Sequence, residues 1–363
     1  MQWDIFCRVI DNLGDTGVCW RLCADLARRG ERVRLWIDVP DDLAWMAPGA
    51  LEGRWPGVQV YRWTDPLPDG QVAALAPADV WIEAFGCDPA PEFLGDLARR
   101  VQSGDAPPVW INLEYMSAEA WVERSHRLPS PIMTGPLQGL TKWFLFPGFT
   151  PATGGLLREA GLPARRSDFD AHTWLEANRL PSGGAPRASL FCYEPPALAA
   201  VLQQAARDIP SDWLVTAGRA SDAVAAVRKD LPVANASPRL HTVPRLTQHD
   251  YDHLLWSCDL NFVRGEDSLV RALWAGRPFV WHIYPQHDNA HHAKLEAFLD
   301  WLQAPASLRE FHRAWNGLTR PGTVWPGWET VHGWGECARA ARQRLLAQAD
   351  LASQLLGFVA EKR

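Results

Sequence analysis

Apolar and polar positions along this chain change their period in blocks. Residues 3–10, from Trp3 to Ile10, are β-rich and predict a strand, and 11–17 (DNLGDTG) predict a turn. From Val18 the apolar residues Val18, Leu22, Ala24, Leu26 and Ala27 recur at helical spacing, and Gly30 supplies a C-cap. Arg32 to Ile37 reads as the next strand. This βαβ unit predicts a parallel sheet with helices on its faces. Strands are further expected at 58–63, 80–85 and 109–113, a helix that Ser117 caps at 117–124, and a loop at 144–155.

A second alternating run starts at Ala188. Strands are expected at 188–193, 213–217, 241–243, 260–263 and 279–283, with helices at 196–206, 251–256 and about 267–275, the last closed by Gly276. The tail from Glu336 to Lys362 reads as one helix. The expected organisation is a Rossmann-like domain at 1–160, a Pro- and Gly-rich connection at 161–186 with one short helical stretch near 171–178, a second Rossmann-like domain at 187–330, and a long C-terminal helix within 331–363 that packs back toward the first domain. The fold class is α/β, with the two domains facing each other across a central cleft.

Composition narrows the function classes. The 363 residues are 47% apolar and 21% charged, which suits a globular chain. A net charge of −6 argues against a basic nucleic-acid-binding surface as the main theme, and no direct nucleic-acid partner is expected. Asp4 and Arg8 interrupt any signal-peptide core, and no run approaches the ~20 apolar residues of a membrane span. A cytoplasmic protein with no membrane partner is expected. The seven scattered cysteines, with no CxxC pair, predict reduced, buried thiols. Most of the 20 tryptophans are expected in the core.

Five constellations can carry chemistry. Arg264-Gly265-Glu266-Asp267-Ser268 falls between a strand end and a helix start, where free N–H groups, a hydroxyl and a guanidinium suit a diphosphate; the bland reading is helix capping. Asp11 and Asp15 place two carboxylates in the first βα turn, able to bind a cation or take a proton, or simply to form the turn. In the run His282 to His292, His287 and His291 share a helix face; surface or supporting histidines fit better than a metal site. Tyr284 and Gln286 follow a strand end and are candidates to line the same cleft. Phe191 and Tyr193 flank Cys192 after another strand, as a base-stacking floor or as core. Glu114, in INLEY, ends a further strand and faces either the cleft or solvent. GxGxxG is absent after the first strand of either domain, which disfavours a nicotinamide-dependent oxidoreductase.

Together the strings WDIFCRVIDNLGDTGVCWRL, WINLEYMSAE, GGLLRE, LFCY and CDLNFVRGEDSLVRALWAGRPFVWHIYPQ resemble the EarP family of elongation factor P arginine rhamnosyltransferases, in that family's order and nearly end to end. The resemblance implies a GT-B glycosyltransferase that moves L-rhamnose from dTDP-β-L-rhamnose to an arginine of elongation factor P, with inversion and without a metal or other cofactor. The first domain would then be the acceptor side and the second would bind the nucleotide sugar. It further implies Asp15 as catalytic base, with Asp11 and Glu266 needed for activity. Asn12, Leu13, Gly14 and Asp15, with Phe191, Tyr193, Gln248 and Arg264 through Ser268, would contact the donor, Phe191 stacking on thymine. Tyr284 and Gln286 join them as donor-side candidates, and Glu114 is the acceptor-side candidate. The rivals are a GT-B enzyme with a different donor or acceptor, and a silent module that binds elongation factor P or a nucleotide.

Overall fold

A computed structural model of the chain describes residues 1–10, 12–228, 238–285, 290–319 and 324–363. The chain forms two units, Met1–Glu159 with Gln348–Arg363, and Ala160–Ala347. The first holds β1 (Gln2–Cys7), α1 (Asn12–Arg28), β2 (Arg32–Ile37), α2 (Leu43–Met46), β3 (Val58–Arg62), β4 (Val80–Ala84), α3 (Pro91–Gln102), β5 (Val109–Leu113), α4 (Trp121–Ser125), β6 (Leu128–Pro131) and β7 (Thr141–Leu145). The second holds α5 (Leu162–Ser167), α6 (Ala171–Ala177), β8 (Arg187–Leu190), α7 (Leu198–Ala205), β9 (Asp212–Thr216), α8 (Arg219–Arg228), β10 (Arg239–Val243), α9 (Gln248–Ser257), β11 (Leu260–Arg264), α10 (Asp267–Ala275), β12 (Phe279–His282), α11 (Ala290–Leu302), α12 (Ala306–Trp315), α13 (Trp328–Gly333) and α14 (Gly335–Leu346). The last helix, α15 (Leu351–Lys362), belongs to the first unit.

The first sheet runs β3-β2-β1-β4-β5-β7-β6 and the second β10-β9-β8-β11-β12. Every pairing is parallel except β6 with β7. Side chains alternate across the first sheet, so Trp3, Ile5 and Cys7 of β1 pack with α1 and α15, while Phe6 meets Trp81, Trp110 and Phe93 on the other face. Winding reverses between β1 and β4 in one unit and between β8 and β11 in the other. At such a reversal the loops leaving two adjacent strands diverge to opposite faces and open a crevice at the carboxyl ends, where ligands of open α/β sheets bind.

Several expectations need correction. From Asn12 onward DNLGDTG is helix and not a turn: α1 begins at Asn12, and the Asp15 carboxylate in its first turn accepts from the Ile10 amide just upstream, tying the incoming chain to the helix. Within residues 161–186 the helical stretch expected near 171–178 is α6, but α5 lies there as well, and both cluster with the second unit. The C-terminal helix is two helices. Asp350 starts α15 by accepting from the Ser353 amide, and only 348–363 join the first unit. The helix expected at 117–124 begins at Trp121, because the Ser117 hydroxyl accepts locally from the Glu119 amide. The seven cysteines are unpaired, and all but Cys337 are buried. Among the described residues no helix is long and apolar enough to cross a membrane.

Candidate active site

In the first unit the site is built around Asp15. Its side chain is only 2% exposed, yet it belongs to the first turn of α1. The Ile10 amide donates to Oδ2 at 2.8 Å and the Tyr115 hydroxyl donates to Oδ1 at 3.3 Å. Hydrogen bonds to a charged acceptor contribute about 1.5–3 kcal/mol each, which offsets part of the cost of burying a carboxylate. Tyr115 is itself oriented by stacking on Phe85 at 4.3 Å and 12°. Phe85 follows β4 with φ of 61°, a left-handed conformation that a bulky residue rarely adopts. Beside them, Glu114 accepts from the Asn112 side-chain amide at 2.8 Å and is half-buried. Asp15 therefore follows β1 and Phe85 follows β4, the two strands of the reversal. Leu13 and Gly14 are half-buried in the same helical turn. Asp11 lies outside the described residues, and so does the side chain of Asn12.

In the second unit the residues after β8 meet those after β11. The Arg264 guanidinium lies over the Phe191 ring at 4.4 Å and over the Tyr193 ring at 4.8 Å, and its Nη1 donates to the Cys192 carbonyl at 3.3 Å. One face of Phe191, the residue expected to stack on thymine, is thus covered by a cation. Arg219 lies 4.7 Å from the Tyr193 ring and is paired to Glu194, holding that carboxyl below its usual range. Burial pushes the Cys192 thiol up to about 12, so it is neither an anion nor a nucleophile at neutral pH. Arg264, Phe191 and Tyr193 form one cation–aromatic stack.

The RGEDS loop is held by its own bonds. The Ser268 hydroxyl accepts from the Arg264 amide at 2.9 Å and donates its single proton to the Arg264 carbonyl. The hydroxyl thereby closes the loop between the strand end and the helix start. The Gly265 amide donates to the His282 carbonyl at 3.2 Å, so it too serves the loop. Gly265 has φ of 62°, and Trp281 Nε1 donates to its carbonyl at 2.7 Å. Glu266 stands at the N-cap of α10 and meets Lys294 Nζ at 2.7 Å. Asp267 is half-buried in the first helical turn, where a carboxylate complements the helix dipole. Gln248 is buried at the start of α9, and the Arg271–Asp252 pair at 2.7 and 2.6 Å ties α9 to α10. Tyr284 is exposed and packs edge-on to Tyr193 at 5.7 Å. Gln286 and His287 lie outside the described residues.

Sequence reasoning missed two partners. Tyr115 adjoined the chosen Glu114, and its aromatic ring at a strand end was a usable signal. Lys294 lies 28 residues from Glu266, and no local pattern connects them.

The model of the family described as "Elongation-Factor P (EF-P) rhamnosyltransferase EarP" matches residues 3–360. The chain belongs to the EarP family. A protein-arginine rhamnosyltransferase of Pseudomonas aeruginosa is 44% identical, with 99% of each chain covered. The solved structure describing EarP-mediated arginine glycosylation of translation elongation factor EF-P superposes with a TM-score of 0.64 at 31% identity, covering 100% of this chain and 99% of that one. The glycotransferase of kitacinnamycin, at 15% identity and a TM-score of 0.51 over 98% and 97% of the two chains, shares the fold. The fold of this EarP-family chain is GT-B, as the sequence resemblance implied.

Proposed function

We propose that this chain is an inverting protein-arginine rhamnosyltransferase that moves L-rhamnose from dTDP-β-L-rhamnose to an arginine guanidinium of translation elongation factor P. The factor so modified would relieve ribosome stalling at proline runs, and the reaction would take place in the cytoplasm. The family match over residues 3–360 carries the reading. The buried Asp15 in the first turn of the helix after β1 and the cation–aromatic stack at the ends of β8 and β11 agree with it.

Each unit's residues suit one reactant. A guanidinium has a pKa above 12 and arrives as a cation, a poor nucleophile. Asp15 would bind it, orient one nitrogen, and take that nitrogen's proton as the carbon–nitrogen bond forms. The nitrogen attacks the anomeric carbon opposite the leaving group, so the configuration inverts. The electron pair of the broken carbon–oxygen bond leaves with dTDP. Arg264, fixed by two aromatic rings, would offset that diphosphate charge, and no metal is required for this role. Glu266 would orient the sugar or diphosphate, with Tyr193, Gln248, Asp267 and Tyr284 as further donor contacts. Glu114 would face the acceptor.

The test is intact-mass analysis of elongation factor P incubated with this chain and dTDP-rhamnose. A gain of one deoxyhexose on an arginine supports the reading. No gain with this donor, or a gain with another nucleotide sugar only, overturns it.

A further inference from the structure

Glu266 occupies the N-cap of α10 without capping it, since its side chain makes no hydrogen bond to the helix's first amides. A carboxylate there ordinarily folds back onto the second or third N–H of its own helix. Here Oε1 meets Lys294 Nζ at 2.7 Å instead. The two side chains retain 16% and 20% exposure, so neither is freely hydrated. Both are carried on fixed supports. Leu295 and Phe298 bury one side of α11, and Glu296 makes a two-point bond to Arg313 of α12 at 2.6 and 2.8 Å. On the other side, Ser268 and Trp281 bond the loop that carries Glu266.

We propose that Lys294 is a positioning residue for Glu266: it holds the carboxylate turned away from its own helix, in the rotamer that orients the donor. The inference rests on the donor role proposed for Glu266. Without the ammonium, the carboxylate relaxes onto the amides at the start of α10, a competing arrangement that favours helix stability over function. Loss of Lys294 therefore lowers turnover without loosening the fold, the reverse of what loss of a structural ion pair does.

The experiment compares Lys294→Met and Lys294→Arg with the unaltered full chain, using dTDP-rhamnose and elongation factor P. For Lys294→Met we expect kcat to fall roughly 10- to 100-fold, with donor KM within about threefold, because a transition-state interaction is lost rather than uniform binding. Thermal stability stays level, and Lys294→Arg recovers most of the turnover. Unchanged kcat in Lys294→Met overturns the proposal. So does a raised KM at constant kcat, which marks a direct donor contact, and so does a lowered melting temperature with no recovery by arginine. Carboxyl-carbon NMR of labelled glutamate reads the surroundings of the Glu266 carboxylate without turnover. If the unaltered chain forms no product yet that resonance shifts in Lys294→Met, the pairing stands and the transferase reading falls. If the resonance does not shift, the proposal falls, whether or not product forms.

Discussion

Tyr115 reaches Asp15 across 100 residues of sequence, its hydroxyl donating to Oδ1 at 3.3 Å. The bond is long, so its worth lies in direction more than strength. Stacking on Phe85 already fixes the ring. Tyr115→Phe keeps that stack and removes one donor from the buried carboxylate. Turnover is expected to drop about tenfold with a melting temperature within a few degrees, consistent with a loss of about 1 kcal/mol. Steady-state kinetics beside calorimetric unfolding read the two effects separately. Wild-type turnover in this variant would remove Tyr115 from the positioning of Asp15.

Asp15 has two duties that substitution can separate. As proton acceptor it is irreplaceable by an amide, so Asp15→Asn is expected to lose at least about a thousandfold in transfer, in the range of a lost general base. As a partner of the Ile10 amide it is replaceable, because an asparagine oxygen accepts the same bond. Asp15→Asn should therefore unfold close to the wild type, whereas Asp15→Ala also loses about 1 kcal/mol by leaving that amide unpaired. Both variants should keep nucleotide binding, measured by calorimetry with dTDP, since Arg264 and its aromatic partners are untouched. An active Asp15→Asn variant would exclude the base role.

Legibility in the sequence followed range. β2 and β5 were readable to the residue, because both are short runs rich in β-branched and aromatic residues bounded by turn signals. The loop of Arg264 to Ser268 was readable as a strand-to-helix junction, and Gly276 as its C-cap, with φ of 62°. The start of α1 was not, because Gly14 and Gly17 look like turn residues until the Asp15 carboxylate is seen to bond back to Ile10. β6 was hidden by Pro129 and Pro131, which only an edge strand tolerates. The shared winding of the two sheets left no sequence repeat, since buried parallel strands require only apolar side chains. The Ser268 hydroxyl shows the limit at the site: residue type alone gave no sign of its bonds to the Arg264 amide and carbonyl, four residues back.

Arg264 tests whether shape or charge matters in the second unit. A lysine keeps the charge but loses the planar group that covers Phe191 at 4.4 Å and Tyr193 at 4.8 Å. Arg264→Lys is expected to raise the donor Kd about 10- to 100-fold, with a smaller effect on the turnover of bound donor, because stacking and forked hydrogen bonding are both lost. Phe191→Ala should weaken dTDP binding in the same direction. Titration calorimetry with dTDP reads both. Equal affinities in Arg264→Lys and the unaltered chain would move the diphosphate elsewhere.

Acid should loosen β12 before it affects the carboxylate pairs of the second unit. Burial lowers the His312 pKa to about 4 and the His282 pKa to about 3. His312 is fully buried, takes the Trp281 amide on Nε2 at 3.0 Å and has Nδ1 2.9 Å from the Leu308 carbonyl, an arrangement only the neutral ring satisfies. Both folded-state values lie below the unfolded 6.5. The stability they confer is therefore fully present above pH 6.5 and is lost as pH falls through about 4 and then about 3. A shift of this size is worth on the order of 3 kcal/mol for His312 alone. Hydrogen exchange at the Trp281 amide, corrected for intrinsic rate, should show protection falling between pH 6.5 and 4.5. His312→Gln keeps an acceptor for that amide without a titrating ring, so its protection should be flat across the same interval. Equal slopes in the two proteins would show that His312 is not the group being protonated.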